Sequence, residues 1–264
     1  MQQSDIARLP LSARGTLSVT LVNEESDVLA CQQLRYQVFS DEMGAHIDTD
    51  IPGLDRDRFD RYCLHLVVRD ERCGQVVGTT RLLTTDGAGK AGLYYSETQF
   101  DITAIRSLPG RFMEIGRTCI HPDYRRGATL PLLWQGIARL MVEYDLDYLI
   151  GCASIPLDSG AGYVHSVISH LRKNHLSPPE LRARPYVPLP MADKRAAEEV
   201  LLPPLLKGYL RQGAWICGEP YFDAAFNVAD VFVLLKREQL ARRYVKHFID
   251  RANFGQSGVT VACV

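Results

Sequence analysis

The residues best suited to bind a ligand lie between Glu114 and Leu133, where a predicted strand leads into a predicted helix. The segment reads EIGRTCIHPDYRRGATLPLL. A helix N-terminus offers unpaired backbone N–H groups at the positive end of the helix dipole. Gly127 allows a ligand to approach the backbone closely, and Arg125 and Arg126 add positive charge. These features suit a pyrophosphate or a phosphopantetheine, although an ordinary turn with two solvated arginines fits the local pattern equally well.

Charged residues inside apolar segments form a second candidate group. Arg35 and Arg81 each interrupt a pattern that predicts burial, and a buried arginine must be paired. Asp57 and Asp60 lie in residues 44–61, a segment rich in Asp and Gly that predicts a long loop. Turns favour Asp, so a solvated turn is the simpler interpretation of these two aspartates from the local pattern alone. Arg35 and Arg81 are therefore stronger candidates for a site than an arginine on the surface would be.

Glu114 and Arg117 can share a site only if their strand is irregular. Residues three apart on a regular strand point to opposite faces of the sheet. A bulge between the two residues would bring both side chains to one face. In the alternative interpretation, Glu114 pairs with Arg117 only to stabilise the structure.

The hydrophobic pattern predicts an α/β fold with a mixed sheet that would position these residues. Apolar runs predict strands at residues 17–22, 63–69, 75–83, 112–120, 147–153, 214–218 and 229–236. Helical spacing predicts helices at residues 25–43, 129–145, 159–174, 193–211 and 237–252. Residues 1–15 are predicted to be a loose leader and residues 156–212 a helical insertion, so residues 1–264 form a single domain.

The composition excludes several classes of function. The formal net charge of −1 provides no general field for nucleic acid. The seven cysteines show no CxxC or Cys/His ligand spacing, which predicts reduced thiols, no metal site and a cytoplasmic location. The N-terminal residues lack the apolar core of a signal peptide, and no apolar run approaches the roughly 20 residues that span a bilayer. Any membrane contact is therefore expected to be peripheral, on the inner membrane face.

The turn after Glu114 resembles the acyl-donor loop of the GNAT acyltransferases, usually written P-x-x-R-x-x-G-x-G. The matching residues are Pro122, Arg125 and the Gly127–Ala128 region. The loop is one residue short and lacks the second glycine, which favours a donor other than acetyl-CoA. The resemblance implies a mixed, mostly antiparallel sheet flanked by helices, with the helical insertion before the last two strands.

An ordered set of four motifs is similar to that of the acyl-homoserine-lactone synthases, which use the GNAT fold and acyl carrier protein thioesters. The motifs are RYQVF from Arg35 to Phe39, DRFD from Asp57 to Asp60, GTTRLL around Arg81, and EIGR from Glu114 to Arg117. The tryptophan that usually follows Val-Phe in that family is absent. Residues 18–250 as a whole more closely resemble the ornithine N-acyltransferases, which join a 3-hydroxyacyl group from acyl carrier protein to the α-amine of ornithine.

The resemblance implies roles for several residues of these motifs and of the turn before the predicted helix. The expected groups are a general base, Glu114; a substrate site of Arg35, Phe39, Asp57, Asp60, Arg81 and Arg117; and an acyl-donor site of Thr118, Cys119, Ile120, Arg125, Arg126, Gly127 and Ala128. The aspartates would bind the side-chain ammonium of L-ornithine and an arginine its carboxylate. Backbone N–H groups near Thr118–Ile120 would bind the oxyanion. No permanently bound cofactor is expected, because the donor is a phosphopantetheine thioester on acyl carrier protein, or on CoA.

Several alternatives stay open at this level. The chain could be an acyl-homoserine-lactone synthase that uses S-adenosylmethionine, or a non-catalytic protein that binds acyl thioesters. Cys119 or Cys152 could carry an acyl group, although small buried thiols are the simpler interpretation. The acid for the leaving thiolate could be Tyr163 or another tyrosine. The basic helix at residues 237–252 could bind the carrier protein or a membrane surface, or pack on the domain with a solvated basic face.

Overall fold

The computed structural model describes residues 11–22, 24–190 and 200–239, and a nine-stranded sheet runs through this described part. The strands are β1 (Ser12–Arg14), β2 (Leu17–Val22), β3 (Leu64–Asp70), β4 (Gln75–Thr84), β5 (Phe100–Asp101), β6 (Phe112–Ile120), β7 (Tyr148–Pro156), β8 (Arg184–Pro185), β9 (Trp215–Ile216), β10 (Tyr221–Asp223) and β11 (Val228–Lys236). The order across the sheet is β1-β2-β3-β4-β6-β7-β11-β10, and β9 pairs with β11. Strands β5 and β8 form a separate pair.

One parallel pair, β6 with β7, interrupts an otherwise antiparallel sheet in the described residues. A parallel pair needs a crossover connection, and a long helix between β6 and β7 provides it. The predicted mixed, mostly antiparallel sheet is therefore confirmed. Because this pair lies at the centre of the sheet, a loss of pairing between β6 and β7 leaves a gap in the middle of the sheet.

Helices flank the sheet on both faces. The α-helices of the described part are α1 (Glu25–Tyr36), α2 (Thr85–Ala91), α3 (Thr103–Arg106), α4 (Thr129–Glu143), α5 (Ala161–Asn174) and α6 (Pro204–Arg211). Leu34 of α1 packs with Val67 of β3, whereas Ile137 of α4 packs in the cluster that contains the next residue, Val68. Adjacent strand residues point to opposite faces, so α1 and α4 cover opposite sides of the sheet.

Helix α1 continues as a π-helix, Gln37–Glu42, before the chain enters the long loop. π-helical turns are rare and are frequent at functional sites. Residues 43–59 then contain no helix or strand, as their composition predicted. The backbone N–H of His46 donates to the carbonyl oxygen of Ala225 at 2.8 Å, which fixes the start of the loop beside the β10–β11 turn.

Several predicted boundaries differ from the observed ones. Residues 12–14, predicted to belong to a loose leader, form an edge strand because Ser12 and Arg14 pair with β2. The predicted helical insertion does contain α5 and α6, but it also contains β8, which pairs with β5. Of the predicted basic helix at 237–252, the 3-10 turn Arg237–Gln239 is described. The remainder of that helix and residues 1–10 lie outside the described residues.

Candidate active site

Strands β6 and β7 part in the middle of the sheet and leave a cleft. Their parallel pairing runs from Phe112 opposite Tyr148 to Ile115 opposite Gly151 and ends there. The cleft beyond this point has a volume of about 100 Å³ and is lined by Phe39, Tyr95, Ile115, Gly116, Arg117, Thr118, Cys152, Ser154, Leu205, Tyr209, Asp223, Phe226, Val228 and Asp230. A Cβ atom at Gly151 would overlap the carbonyl oxygen of Ile115. Glycine at this position therefore lets the two backbones meet where the strands part.

Strand β6 bulges at Arg117, as the spacing from Glu114 predicted. Register with β4 shifts between the pairs Thr79–Cys119 and Arg81–Gly116, so three steps along β6 oppose two along β4. Arg117 has a φ of 52°, a left-handed conformation that costs roughly 1–2 kcal/mol in a residue other than glycine. The prediction of a bulge is confirmed, and it brings the Arg117 side chain to the side of the strand that carries Glu114.

Glu114 is buried, with 3% of its surface exposed, and both of its carboxylate oxygens accept backbone hydrogen bonds. Tyr95 N–H donates to Oε2 at 2.6 Å and Ser96 N–H donates to Oε1 at 2.7 Å. Burial raises the pKa of the Glu114 carboxyl above its usual range, although the donors at Ser96 and Tyr95 favour its ionised form. Glu114 thus anchors the turn Tyr95–Thr98 and has the raised proton affinity that a general base requires.

Three arginines and three aspartates form a buried network beside the cleft. Its members are Arg35, Arg81, Arg117, Asp55, Asp57 and Asp60. Arg35 is central: its Nε donates to Asp55 Oδ2 at 3.0 Å and its Nη1 to Asp60 Oδ1 at 2.7 Å. Arg81 donates to Asp57 at 2.6 Å and to Asp60 at 3.3 Å. The network balances three positive side chains against three negative ones.

The network commits Asp60 to a structural role. Both Asp60 oxygens accept from Arg35, and Oδ2 also accepts from Arg81 and from the backbone N–H of Asp57. Burial acts to raise the pKa of Asp60, but the hydrogen bonds and charge of Arg35 outweigh it and hold that pKa well below its usual range. Both oxygens of Asp60 are therefore already bonded to the protein, and its charge is balanced by Arg35 and Arg81, which disfavours a further role in binding a substrate ammonium.

The other predicted substrate residues divide between the network and the cleft. Asp57 Oδ2 has no hydrogen-bond partner, and Asp57 borders a larger cavity of about 490 Å³ between α1 and the long loop. Arg117 lines the cleft, and its guanidinium carbon lies 4.8 Å from the ring centre of Phe226. Phe39, on the π-helix, packs edge-on against the same Phe226 at 5.7 Å. Arg117 and Phe39 are thus the predicted substrate residues that reach the cleft.

The turn before α4 keeps an open helix N-terminus. Helix α4 begins after Ala128, which provides no side-chain cap to the first N–H groups. Gly127 has a φ of 147°, and nothing lies within 4 Å of where its Cβ would be. Arg125 forms a two-bond ion pair with Glu42, at 2.5 and 2.6 Å. Arg126 is exposed and has no ion pair in the described part of the chain, so it is the arginine available to an anionic donor.

The three residues expected at the oxyanion have different environments. Thr118 lines the cleft, and its hydroxyl bonds that of Thr80 at 2.7 Å. The Cys119 side chain packs against α1, and burial raises its pKa above the usual range, so it stays a neutral thiol. Burial likewise raises the pKa of Cys152. These thiols fit the simpler interpretation of small buried side chains. The Ile120 carbonyl oxygen accepts from Arg125 Nε at 3.2 Å.

Tyr209, in the cleft, has a buried hydroxyl without a hydrogen-bond partner among the described residues. Tyr163, which the sequence suggested as an acid, donates to the Leu201 carbonyl oxygen at 2.7 Å and does not line the cleft. Tyr209 lines the cleft, is 1% exposed, and its hydroxyl has no hydrogen-bond partner. Burial raises the pKa of Tyr209 above its usual range, so the hydroxyl keeps its proton. Tyr209 was not distinguished by the sequence, since a single tyrosine on an amphipathic helix has the pattern of a core residue.

Two further cleft residues, Asp223 and Asp230, were not identified from the sequence. Both are buried, at 8% and 5% exposure. Gln99 Nε2 donates to both carboxylates, at 3.1 Å to Asp223 and 2.9 Å to Asp230. Burial raises the pKa of Asp230 to about 6, against hydrogen bonds from Ser154 and Gln99. A signal was available, because Asp230 is the one charged residue within the apolar run VADVFVLL.

Neither metal-binding clusters nor spanning helices occur in the described ranges. Within residues 11–22, 24–190 and 200–239, no group of three or more His, Cys, Asp or Glu residues could hold a metal ion. No helix of the same ranges has the length and apolar character to cross a membrane.

Comparison with known proteins identifies close relatives. The acetyltransferase (GNAT) domain family matches residues 34–135. An L-ornithine Nα-acyltransferase of Brucella abortus is 36% identical over 260 residues, which cover 90% of this chain and 91% of the relative. The corresponding proteins of Agrobacterium fabrum and Rhodobacter capsulatus are 36% and 31% identical, and cover 89% and 93% of this chain and 85% and 98% of the relatives.

Solved structures show the same fold at much lower identity. The acyl-homoserine-lactone synthase LasI has a TM-score of 0.52 and 14% identity, with coverage of 94% of this chain and 98% of LasI. The CoA-dependent acyl-homoserine-lactone synthase BjaI, solved with S-adenosylmethionine and isopentyl-CoA, has a TM-score of 0.51 and 16% identity, with coverage of 87% and 83%. Similarity at this level concerns the fold, because one fold supports many reactions.

Proposed function

The chain belongs to the L-ornithine Nα-acyltransferases, and from this membership we propose that it transfers a 3-hydroxyacyl chain from acyl carrier protein to the α-amine of L-ornithine. The product is a lyso-ornithine lipid. The observation that supports this most strongly is the 36% identity over nine tenths of both chains. The cleft between β6 and β7, where the two strands part, supports the proposal as a place for the acyl donor.

The acyl donor enters where β6 loses its partner. Backbone N–H groups of β6 after Ile115 have no β7 strand opposite them, so they can bind an extended phosphopantetheine arm and the thioester oxygen. The uncapped N-terminus of α4 and the exposed Arg126 can bind the phosphate of the arm. These contacts fit the arm on either acyl carrier protein or CoA, and the family resemblance favours acyl carrier protein.

Acyl transfer then needs a neutral amine. The α-amine of an amino acid is partly protonated at neutral pH. Glu114 lines a small cavity next to the cleft, with Tyr95 and Gly116 in both linings, and with its raised pKa it takes this proton through a water molecule. The nitrogen lone pair attacks the thioester carbon, and the C–N bond forms while the carbonyl oxygen becomes an oxyanion. The N–H groups near Thr118 stabilise that charge.

Collapse of the oxyanion breaks the C–S bond and releases a thiolate. The Tyr209 hydroxyl keeps its proton and has no other partner in the described structure, so it donates a hydrogen bond to the departing sulfur. After the attack the nitrogen still carries one proton more than an amide. Glu114, having released the first proton to water, takes this second proton and passes it to the sulfur, which leaves as a thiol. Arg117, which lines the cleft, binds the substrate carboxylate and is oriented by Asp55 at 3.1 Å.

A mass-spectrometric assay of the purified protein tests the proposal. The donors are 3-hydroxyacyl carrier protein and the matching 3-hydroxyacyl-CoA, and the amines are L-ornithine, L-lysine, glycine and S-adenosylmethionine. The expected product is N-acylornithine, formed faster from the carrier protein. A homoserine lactone formed from S-adenosylmethionine would instead identify an acyl-homoserine-lactone synthase. Donor binding without acylation of any amine would identify a non-catalytic acyl-thioester protein.

A further inference from the structure

Asp223 and Asp230 form an acidic pair on one wall of the cleft. The two residues lie on the antiparallel strands β10 and β11, where Asp223 is opposite Val228 and Asp230 is two residues further along. Residues two apart on a strand point to the same face, as do residues directly opposite each other. Both carboxylates are therefore on the same side of the sheet. The shared donor, Gln99 Nε2, holds them close together at 3.1 and 2.9 Å.

The pair carries negative charge that the protein does not neutralise. Asp230 Oδ1 accepts from the Ser154 hydroxyl at 2.7 Å, and Asp223 Oδ1 accepts from the backbone N–H groups of Ala225 and Phe226, each at 3.0 Å. All of these donors are neutral, and neither carboxylate has an ion pair in the described part of the chain. The arginines nearby are already balanced, three against three, by Asp55, Asp57 and Asp60.

Two further polar groups at this wall lack partners. Tyr209 is 1% exposed, lines the cleft and has an unpartnered hydroxyl. Gln99 is 3% exposed, and its Oε1 is also unpartnered. Buried polar atoms without a partner are rare in proteins and call for an explanation. Burial also raises the pKa of Asp230 to about 6, as expected for a carboxylate that lacks a cation. A bound cation would balance the charge of the two carboxylates and donate hydrogen bonds to the unpartnered oxygen atoms beside them.

We infer that Asp223 and Asp230 bind the side-chain ammonium of the amino-acid substrate. A primary ammonium has three N–H donors, which suits two carboxylates and one further acceptor such as the Tyr209 hydroxyl oxygen, which lines the cleft. The side-chain amine of a diamino acid stays protonated at neutral pH, with a pKa near that of lysine at about 10.4. The inference rests on the proposed function, because it supposes a diamino acid in the cleft.

This assignment explains how one enzyme selects both the substrate and the reacting nitrogen. The amine that reacts must be neutral, whereas the amine at the acidic pair is kept charged and therefore cannot attack. A neutral side chain would leave the two carboxylates buried without a cation. Sites built to bind a polar group reject analogues that lack it by about 10⁴–10⁵-fold in favourable cases.

The test compares L-ornithine with L-norvaline, which has the same carbon skeleton without the side-chain amine. The values of kcat/KM are measured with saturating 3-hydroxyacyl carrier protein for the wild type, Asp230→Asn, Asp223→Asn and Asp86→Asn. The last is a matched control, because the Asp86 side chain is 77% exposed. Expected for the wild type is a preference for ornithine of at least ~100-fold. Asp230→Asn should reduce that preference at least tenfold, through a higher KM for ornithine and a lower KM for norvaline, because one carboxylate fewer is then buried without a cation.

Each other outcome contradicts the assignment in a distinct way. If Asp230→Asn lowers kcat equally for both amines, Asp230 acts on the reacting nitrogen and the ammonium site is wrong. If the wild type uses norvaline as well as ornithine, the site is wrong whether or not the variants fold. If the wild type acylates ornithine and both variants retain the full preference, the site fails while the proposed function stands. If the wild type acylates no amino acid, the proposed function fails and the site falls with it.

Discussion

Glu114 and Arg117 lie three residues apart on β6 and yet both contact Tyr95. Glu114 accepts a hydrogen bond from the Tyr95 backbone N–H at 2.6 Å, and the Arg117 guanidinium lies 5.0 Å from the Tyr95 ring centre. The bulge at Arg117 makes this possible, since a regular strand would direct the two side chains to opposite faces. The same irregularity lies next to the point where β6 and β7 part. The proposed base, the proposed substrate arginine and the proposed donor cleft therefore all depend on one local distortion.

The first prediction concerns Glu114 as a base. Glu114→Gln should lower kcat by about 10²–10⁴-fold with little change in the KM for ornithine, because proton removal is lost and binding is not. The amide can accept only one of the two backbone hydrogen bonds, so some loss of stability is also expected. In the wild type, kcat/KM should rise with pH through a pKa above the ordinary glutamate value of 4.5.

A control separates these two effects of Glu114→Gln. Glu114→Asp keeps a carboxylate, so it should recover part of kcat and retain the rise with pH. A purely structural role for Glu114 would instead give a lower Tm, unchanged kcat in the folded fraction and the wild-type pH profile.

The second prediction concerns the point where the strands part. Gly151→Ala places a Cβ against the carbonyl oxygen of Ile115, and a backbone atom cannot move aside as a side chain can. The variant should lose about 1–3 kcal/mol of unfolding free energy and at least tenfold in kcat, because the β6–β7 geometry shifts. Gly89→Ala is the matched control, since nothing lies within 4 Å of its Cβ position on α2. Equal urea denaturation midpoints for the two variants would contradict this account.

The third prediction concerns the buried network. Removing Arg35 leaves Asp55 and Asp60 without their main counter-charge, so Arg35→Met should cost about 3–5 kcal/mol. Arg125→Met removes a surface pair with Glu42, in which both side chains are more than a third exposed, and should cost less than about 1 kcal/mol. Urea denaturation of both variants measures the difference.

The network also makes the free energy of unfolding depend on pH in the acidic range. The pKa of Asp60 is held below its ordinary value near 4 in the folded protein. Its contribution is therefore present above about pH 4 and is lost as the pH falls through the lower, folded-state pKa. Arg35→Met should flatten this acid dependence. If both proteins lose stability in parallel between pH 5 and pH 2, the network is not its source.

The fourth prediction has the opposite sign and concerns Asp230. Burial raises the pKa of Asp230 from its ordinary value of 3.8 to about 6 in the folded protein, so stability falls as the pH rises through that window. The groups around it are Asp223, Ser154, Gln99 and the cleft side chains Arg117 and Tyr209. Asp230→Asn should increase the free energy of unfolding by up to about 2 kcal/mol at pH 8, seen as a higher Tm, and should leave Tm unchanged at pH 4. An unchanged Tm at pH 8 would show that the buried charge of Asp230 does not destabilise the folded protein.

The sequence predicted part of the geometry around the candidate site, because local rules govern that part. The conflict between Glu114 and Arg117 predicts the bulge from spacing alone, and the apolar context of Arg35 and Arg81 predicts that they are buried and paired. Local rules could not show that Asp60 is paired with Arg35 or that Arg125 is paired with Glu42. Those pairings join residues 25 and 83 positions apart.

The acidic pair depends on contacts that are still more distant. Gln99 reaches Asp223 and Asp230 across 124 and 131 positions. No periodicity in the sequence reports such an arrangement, and β10 is only three residues long. The single aspartate inside an apolar strand was the available sign, since a buried charge needs a reason.

The identity and linkage of the product test the central claim most directly. Purified protein is incubated with L-ornithine and 3-hydroxyacyl carrier protein, and the product is fragmented in a mass spectrometer. The account predicts a single amide in which the acyl group is on the α-nitrogen and the side-chain amine is free. An acyl group on the side-chain nitrogen, or no acylated ornithine at all, would contradict it.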